Sequence, residues 1–411
     1  MRFVRRRIPH QSRHILRTIA ARDGWLVESP DALRAGFGGL ALSVELQNIE
    51  GPTNALAELR RCDVSGDEGP AGTGIVAFGS LPFDRDAPGR LDVAHYCVTQ
   101  FKDGPTWLTT LEGVDDFVSL LANVIPADQE TQDVRSVTYQ PTPERYAHNV
   151  ALAVEILRRK EIDKVVLARA VLGSVPEPID AASVAQRLHH REPACTVYSV
   201  PTTDARRFVG ASPELLARRE GADILCYPLA GTIALPSNVA PDDYQNWLLG
   251  STKNLHEHAV LVDDLVKTLS QYYDDINADA TPSIVSLRTI AHLGTRIQGH
   301  ATRENVPDAL DVLRLLHPTA AVGGIPHRNA YELICRLEQH DRGHYAGPVG
   351  WLDANGDGEW WIGIRGVLLA GTEFEAWAGA GIVSESDPIA EREETRVKLA
   401  VALSSILTDQ V

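Results

Sequence analysis

The pattern of apolar and polar positions becomes sharp at residue 142. Thr142 is suited to cap a helix, and Pro143 is tolerated in a first helical turn. The apolar residues that follow recur every three or four positions and predict one buried helix face, made of Tyr146, Val150, Val154 and Leu157. Directly afterwards, the branched residues of segment 164–172 (KVVLARAVL) predict a buried strand.

A second long helix is predicted over residues 242–273. Its apolar face is marked by leucines at four-residue spacing, Leu261, Leu265 and Leu269. Glu257 lies four residues before Leu261 and therefore continues this buried face. Because a carboxylate directed at a core is costly unless something pairs with it, Glu257 is a candidate for chemistry.

The segment 349–369 predicts a hairpin, with Asn-Gly and Asp-Gly at its turn in DANGDGE. The same turn resembles the start of a calcium-binding loop. Position 12 of such a loop would be Ile364, where a bidentate glutamate is required, so we expect no calcium site.

A final helix is predicted over residues 387–408. Glu391, Glu394 and Lys398 fall on one side of it at 100° per residue. Spacing alone favours a solvated helix start for EREE at 391–394, where acidic residues suit the helix dipole. Upstream, AGAGIV at 378–383 lacks the third glycine of a dinucleotide fingerprint. It predicts a strand whose glycines admit close approach by a ligand.

Residues 1–130 show a weaker pattern, with short strands broken by glycine-rich turns at 36–39 and 69–74. Seven arginines precede the first acidic residue, Asp23, but no apolar stretch or small-residue cleavage site follows them. We therefore expect a solvated basic arm at 1–22, or an upstream start codon, instead of a targeting segment.

Composition excludes several classes of protein. The 411 residues carry 39 Lys+Arg and 55 Asp+Glu, a formal charge of −16, which argues against a nucleic-acid partner because such binding needs a basic face. No apolar run is long enough to predict a transmembrane helix, so we expect no membrane partner. The five cysteines show no metal-ligand spacing and are too sparse for a disulfide framework, which favours a cytoplasmic location.

Eight sequence blocks follow one another in a fixed order between residues 163 and 399. They are DKVVLARA (163–170), GASPELLARR (210–219), PLAGT (228–232), KNLHEHAVLVDD (253–264), LHPTAAVGGIP (316–326), YAGPVGW (345–351), WIGIR (361–365) and AGAGIVSESDPIAEREETRVKL (378–399). Together they resemble the chorismate-utilising enzymes, and most of all the isochorismate synthases of menaquinone or siderophore type.

The resemblance implies the α/β (α+β) fold of anthranilate synthase component I. In that fold, two large antiparallel sheets pack face to face with helices outside. Residues 131–411 would be the chorismate-binding catalytic region, and residues 1–130 a degenerate N-terminal part of the same structural unit.

The resemblance also implies roles for single residues. In isochorismate formation a base activates water and an acid protonates the departing hydroxyl, and these match Lys164 and Glu214. Glu257 and Glu394 match the glutamates that hold Mg²⁺, with Glu391 reaching the metal directly or through water. The substrate-binding set is Gly231, Thr232, His317, Tyr345, Arg365, Gly379 and Lys398. His292 and His317 lie in family blocks, where each is as readily a core histidine as a ligand.

The same blocks distinguish among the enzymes of this family. Ala230 stands where aminodeoxychorismate synthase has a lysine nucleophile, and Lys164 argues against anthranilate synthase component I, which adds ammonia from a glutaminase partner. HPTAAVGG at 317–324 favours isochorismate synthase over salicylate synthase, whereas Thr232 is shared with salicylate enzymes. Because every acid, base and metal position is filled, an inactive binding homologue is disfavoured. We expect a monomeric enzyme that acts on chorismate and needs no glutaminase.

Overall fold

The computed structural model describes residues 1–49, 54–127, 130–235, 241–302 and 306–408, with the side chains of 241–243 left out. Residues 128–129, beside the boundary expected at 130, and residues 409–411 lie outside this description. The helices are α1 (Arg13–Asp23), α2 (Ala55–Arg60), α3 (Phe117–Ala122), α4 (Pro143–Arg158), α5 (Ala181–Arg191), α6 (Pro241–Gly250), α7 (Thr252–Leu269), α8 (Ala309–Leu316), α9 (His327–Glu338) and α10 (Pro388–Leu403).

The strands fall into a larger and a smaller sheet. They are β1 (Arg2–Ile8), β2 (Trp25–Glu28), β3 (Ala32–Leu46), β4 (Asp63–Gly66), β5 (Val76–Ser80), β6 (Gly89–Phe101), β7 (Thr106–Leu111), β8 (Ser136–Gln140), β9 (Lys164–Ser174), β10 (Thr196–Pro201), β11 (Arg207–Ser212), β12 (Leu215–Glu220), β13 (Asp223–Tyr227), β14 (Leu229–Ala234), β15 (Asn277–Ala278), β16 (Ser283–Ser286), β17 (Ile290–Gly294), β18 (Ile297–His300), β19 (Gly324–Ile325), β20 (Pro348–Asp353), β21 (Gly358–Ile362), β22 (Gly366–Ala370) and β23 (Glu373–Ile382).

Within the described residues, the larger sheet has 20 strands and branches at β6. One arm continues from β6 through β3, β2, β10, β11, β22 and β23 to β9, which also pairs with β8 and β19. The other arm continues through β5, β20, β21, β12, β13 and β18 to β15. Strands β7, β1 and β4 extend the sheet from β6, and β14, β17 and β16 form the smaller sheet.

The two arms pack against each other through one buried apolar cluster. Phe78 from β5 and Trp351 from β20 belong to the same cluster as Tyr198 from β10 and Phe208 from β11. A second cluster joins the sheet to α4, α7, α8 and α9, and a third joins it to α1, α5 and α10. The predicted architecture of two facing antiparallel layers with outer helices is therefore confirmed, although the layers are continuous through β6.

The helix predicted from the stripe after Thr142 is confirmed as α4. The Thr142 side chain accepts a hydrogen bond from the Arg145 backbone N–H, and the four stripe residues are buried. The single helix predicted over 242–273 is wrong, because it is two helices. Ser251 separates them, since its side chain accepts from the backbone N–H of Asn254 and caps α7. No helix in the described ranges is both long and apolar enough to cross a membrane.

The arginine-rich N-terminus is part of the fold. Residues 2–8 form β1, which pairs with β7 and β4, and α1 begins at Arg13. The Arg17 guanidinium is buried and makes an ion pair at 2.5 Å with the carboxylate of Glu28 on β2. A solvated arm at 1–22 is therefore wrong, because pairing and burial of this segment depend on strands far along the chain.

The hairpin predicted in the C-terminal part is β20–β21. The carboxylate of Asp353 accepts from the backbone N–H groups of Gly72, Asn355 and Asp357, so it closes the turn. The hairpin ends at Ile362, earlier than predicted, because Gly366–Ala370 (β22) pairs with β11 in the other arm.

Candidate active site

Most of the predicted site residues border one cavity. They reach it from the β11–β12 connection, β14, α7, the segment before β20, the β21–β22 connection, β23 and α10. The predicted residues that line it are Glu214, Thr232, Glu257, Tyr345, Arg365, Gly379 and Lys398. Residues separated by up to 184 positions thus converge, and the eight sequence blocks meet at this cavity.

Lys164, the first residue of β9, is fully buried beside the cavity. Its Nζ lies 3.1 Å from Oε1 of Glu257, which projects from the buried face of α7. Burial opposes ionisation of Glu257, but Lys164, Lys253 and Lys398 together hold the pKa of this carboxyl below its usual range. The sequence predicted that the Glu257 carboxylate needs a partner, and the ammonium group of Lys164 is that partner.

Glu214 lies in the connection between β11 and β12 and is 5% exposed. Burial raises the pKa of its carboxyl to about 7, against the opposing effect of the Leu229 backbone N–H. A carboxyl group with this pKa is protonated for much of the time at neutral pH. It can therefore donate a proton, which an ordinary glutamate cannot do.

His292 on β17 connects two of the predicted substrate-binding residues. Burial and the nearby Arg365 lower the pKa of His292 well below its usual value, so the ring is neutral. Its Nε2 accepts from the Arg365 guanidinium at 3.1 Å, which leaves Nδ1–H to donate to the Thr232 hydroxyl at 3.0 Å. The sequence left His292 undecided between core and ligand, and the structure places it in the cavity wall.

Tyr345 and Lys398 also line the cavity. Tyr345 stacks on Trp377 with ring centroids 5.6 Å apart, and burial raises the pKa of its phenol to about 12, so it remains a donor. A Cβ at Gly379 would lie 3.0 Å from the Tyr345 hydroxyl. The Lys398 ammonium donates to the carbonyl oxygen of Gly379 and, at 2.5 Å, to Oε1 of Glu394.

Glu391 is 1% exposed, so the solvated helix start that spacing favoured for EREE is wrong. Burial, together with the adjacent Glu394 carboxylate, raises the pKa of Glu391. Lys253 on α7 donates to Oε1 of Glu391 at 2.5 Å. Glu391, Glu394 and Glu257 supply the carboxylate oxygens that a hard cation prefers, so the chemistry of these donors, though not their present arrangement, fits Mg²⁺.

The carboxylates nevertheless point to lysines and not to a common centre. Within the described ranges, no three His, Cys, Asp or Glu side chains are arranged to hold a metal ion. Glu257, Glu391 and Glu394 each contact a lysine ammonium instead. Binding of a cation by these groups would require the lysine contacts to change.

Two predicted substrate residues are placed differently from the rest. Gly231 in β14 has a φ of +71°, and a Cβ there would lie 3.0 Å from Asn254, so glycine lets β14 approach α7 closely. His317 is fully buried, and its Nε2 hydrogen-bonds the carbonyl oxygen of Phe83 at 3.0 Å, away from the cavity wall. We therefore correct its assignment from substrate binding to the core.

Gly381 is a cavity residue that the sequence did not single out by itself. A Cβ at this position would lie 2.1 Å from Oε1 of Glu257 and 3.1 Å from Cε of Lys164. The glycines of AGAGIV therefore make room for side chains of the site as well as for a ligand. The close spacing of glycines on one strand was the available signal.

Gly381→Ala is expected to displace the Glu257 carboxylate and lower kcat/KM for the reaction at this cavity about 10²-fold, the scale of a misplacement of about 1 Å. The clashing atom ends a side chain, so the melting temperature should change little. Gly250→Ala, at a position with no atom within 4 Å of the added Cβ, is the matched control. Unchanged kinetics in Gly381→Ala would contradict this account of the glycine.

The sequence model of the family described as "Chorismate binding enzyme" matches residues 45–407. The chain belongs to this family. Among its relatives, the isochorismate synthase EntC of Escherichia coli is 35% identical over 67% of this chain and 70% of the relative. The isochorismate synthase DhbC of Bacillus subtilis is 31% identical over 86% of this chain and 85% of the relative.

Solved structures show the same fold for this chorismate-binding enzyme. The menaquinone-specific isochorismate synthase MenF of Escherichia coli superposes with a TM-score of 0.82 at 24% identity, covering 99% of this chain and 94% of that chain. Anthranilate synthase component I of Streptococcus pneumoniae superposes with a TM-score of 0.73 at 21% identity, covering 96% and 94%. The predicted anthranilate synthase component I-like fold is thereby confirmed.

Proposed function

We propose that this enzyme is an isochorismate synthase, which converts chorismate to isochorismate by adding water at one ring carbon as the 4-hydroxyl leaves. The observation that carries the proposal is that a buried lysine and a carboxyl with a pKa of about 7 lie at one cavity. The activities named for relatives at 31–35% identity support it.

Proton transfers in this reaction balance between two residues. Lys164 takes a proton from water as the oxygen bonds to the ring, and Glu214 gives a proton to the departing 4-hydroxyl, which leaves as water. Both double bonds of the ring shift by one position, which carries an electron pair from the carbon that water attacks to the carbon that loses the hydroxyl, so no oxidant or reductant is needed. The burial of Lys164 and Glu214 excludes bulk water that would compete with the added molecule.

Lys164 can act as a base only in its neutral form, and its Nζ lies 3.1 Å from Oε1 of Glu257. We propose that Glu257 and Glu394, with Glu391, hold Mg²⁺. A bound dication would supply positive charge for a chorismate carboxylate and for the carboxylates of the site.

The two carboxylates of chorismate would be held by the remaining groups of the cavity wall. Arg365 offers a planar fork for a carboxylate, and neutral His292 fixes its position without competing as an anion. Tyr345 and Lys398 supply further donors beside the backbone of Gly379. We assign substrate binding to these residues together with Thr232 and Gly231.

Salicylate synthase is the second candidate, because Thr232 is shared with those enzymes and faces the cavity. Salicylate requires a further elimination of the enolpyruvyl group as pyruvate. The block HPTAAVGG at 317–324 favours release before that step. We also propose that the enzyme works as a cytoplasmic monomer without a glutaminase, in menaquinone or siderophore synthesis.

The proposed function is tested by the products that form from chorismate. Purified enzyme with Mg²⁺ near neutral pH is expected to accumulate isochorismate, with little salicylate or pyruvate, when the time course is resolved by chromatography. Addition of an ammonium salt should not produce anthranilate, because Lys164 activates water. Salicylate as the main product with stoichiometric pyruvate would replace the first proposal with the second.

A further inference from the structure

The contacts of Lys253 are not explained by the proposed reaction. Lys253 lies one helical turn before Glu257 on α7, so both side chains leave the same face of the helix. Its Nζ reaches across to α10 and lies 2.5 Å from Oε1 of Glu391. The Glu391 side chain is 1% exposed, whereas that of Lys253 is 26% exposed. The lysine side chain is thus partly exposed, and its charged end contacts a buried carboxylate.

Lys253 also interacts with every carboxylate of the proposed metal site. Burial alone would lower its pKa, but Glu391, Glu394 and Glu257 together raise it. In the opposite direction, Lys253 is among the groups that lower the pKa of Glu257. The direct contact of Lys253 is with Glu391.

The three glutamates have three different lysine partners. The pairs are Lys164–Glu257, Lys253–Glu391 and Lys398–Glu394. Lys164 and Lys398 have roles in the proposed reaction, and their side chains are at most 10% exposed. Lys253 is the most exposed of these three lysines. Rotation about the bonds of its flexible side chain can return the ammonium group to solvent.

We propose that Lys253 is an internal counter-ion of the metal site, whose ammonium group neutralises Glu391 and must withdraw when a divalent cation binds the carboxylates. This inference rests on the magnesium site of the proposed function. It assigns to Lys253 two opposed effects, since it stabilises the protein before the cation binds and weakens the binding of the cation. The residue thereby sets the concentration range in which the enzyme is loaded.

The test measures Mg²⁺ binding without chorismate. Full-length enzyme is treated with chelator, dialysed and titrated with MgCl₂ in a calorimeter. Lys253→Met is expected to bind Mg²⁺ about 10-fold more tightly than wild type, within the usual range of coupling between two ligands at one site. Its melting temperature before Mg²⁺ is added should fall, because the buried Glu391 has lost its partner. Lys267→Met, an exposed change on the same helix, should leave both quantities unchanged.

Two further measurements keep the inference testable if Lys253→Met does not fold. Lys253→Gln retains a donor for Glu391 without the charge and should also bind Mg²⁺ more tightly. In the wild-type protein, Mg²⁺ should increase the rate at which acetic anhydride modifies Lys253 relative to Lys267, as followed by mass spectrometry. Both results follow from withdrawal of the ammonium group into solvent.

The outcomes separate this inference from the function it rests on. If wild type binds Mg²⁺ but the Lys253 variants bind it with equal or lower affinity, the counter-ion role is overturned and the magnesium site stands. Unchanged acetylation of Lys253 on addition of Mg²⁺ has the same meaning. If neither wild type nor any variant binds Mg²⁺, the proposed magnesium site itself fails.

Discussion

Lys164→Ala is expected to lower kcat/KM for chorismate by about 10²-fold or more, the usual scale for loss of a general base. The reason is that Lys164 is a buried amine beside the cavity, where its neutral form can take a proton from water. Lys164→Ala also leaves Glu257 without its close partner. Circular dichroism and the melting temperature must therefore accompany the kinetics. A folded Lys164→Ala enzyme that hydrates chorismate at nearly the wild-type rate would refute the assignment.

Glu214, the proposed acid that acts with Lys164, allows a second test of the acid–base assignment. Glu214→Gln should lose activity on a similar scale, and the double variant should lose less than the product of the two single effects, because both groups serve one step. The active form of Glu214 is protonated, so wild-type kcat/KM should fall as pH rises through about 7. Glu220→Gln, an exposed change at the end of β12, is the matched control and should retain both activity and pH profile.

Glu257→Gln and Glu394→Gln are each expected to abolish turnover together with Mg²⁺ binding. Either change removes an anionic ligand from a cation that prefers carboxylate oxygens. Glutamine keeps the side-chain shape and a hydrogen-bond acceptor for the neighbouring lysine, so it is milder than alanine. The measurement is activity against Mg²⁺ concentration, paired with calorimetric titration of the same preparations.

Glu393→Gln is the control within the same helix, because Glu393 faces solvent and pairs with Arg396. It should keep wild-type Mg²⁺ affinity and turnover. Full activity of Glu394→Gln in excess chelator would remove Glu394 from the metal site. A loss of Mg²⁺ binding with retained activity would separate the cation from the reaction.

Local patterns predicted the elements that depend on local interactions. The α4 stripe and its Thr142 cap needed only neighbours along the chain, and both are observed. Ser251, the N-cap of α7, was also a local signal, and the prediction of one helix over 242–273 did not use it. Glu257 could be singled out because a carboxylate on an apolar stripe needs a partner, whatever that partner is.

The remaining features depend on partners that are distant in sequence. The pairing of Lys253 with Glu391 joins residues 138 positions apart, so the residue spacing within either helix could not predict it. Burial of Arg17 depends on Glu28 and Gln186, so an arginine-rich start resembled a solvated arm. His317 lies in one of the blocks from which the family resemblance was inferred, and its burial and its contact with the Phe83 carbonyl place it in the core.

The branched sheet has a consequence for how the chain folds. β2, formed before residue 30, pairs with β10 near residue 198, and β5 near residue 78 pairs with β20 near residue 350. Such pairings close long loops, which is slow and must precede the stabilisation that they give. During synthesis the N-terminal strands therefore have unpaired edges until most of the chain has left the ribosome. Protection of those edges from other chains is a requirement that this topology places on the cell.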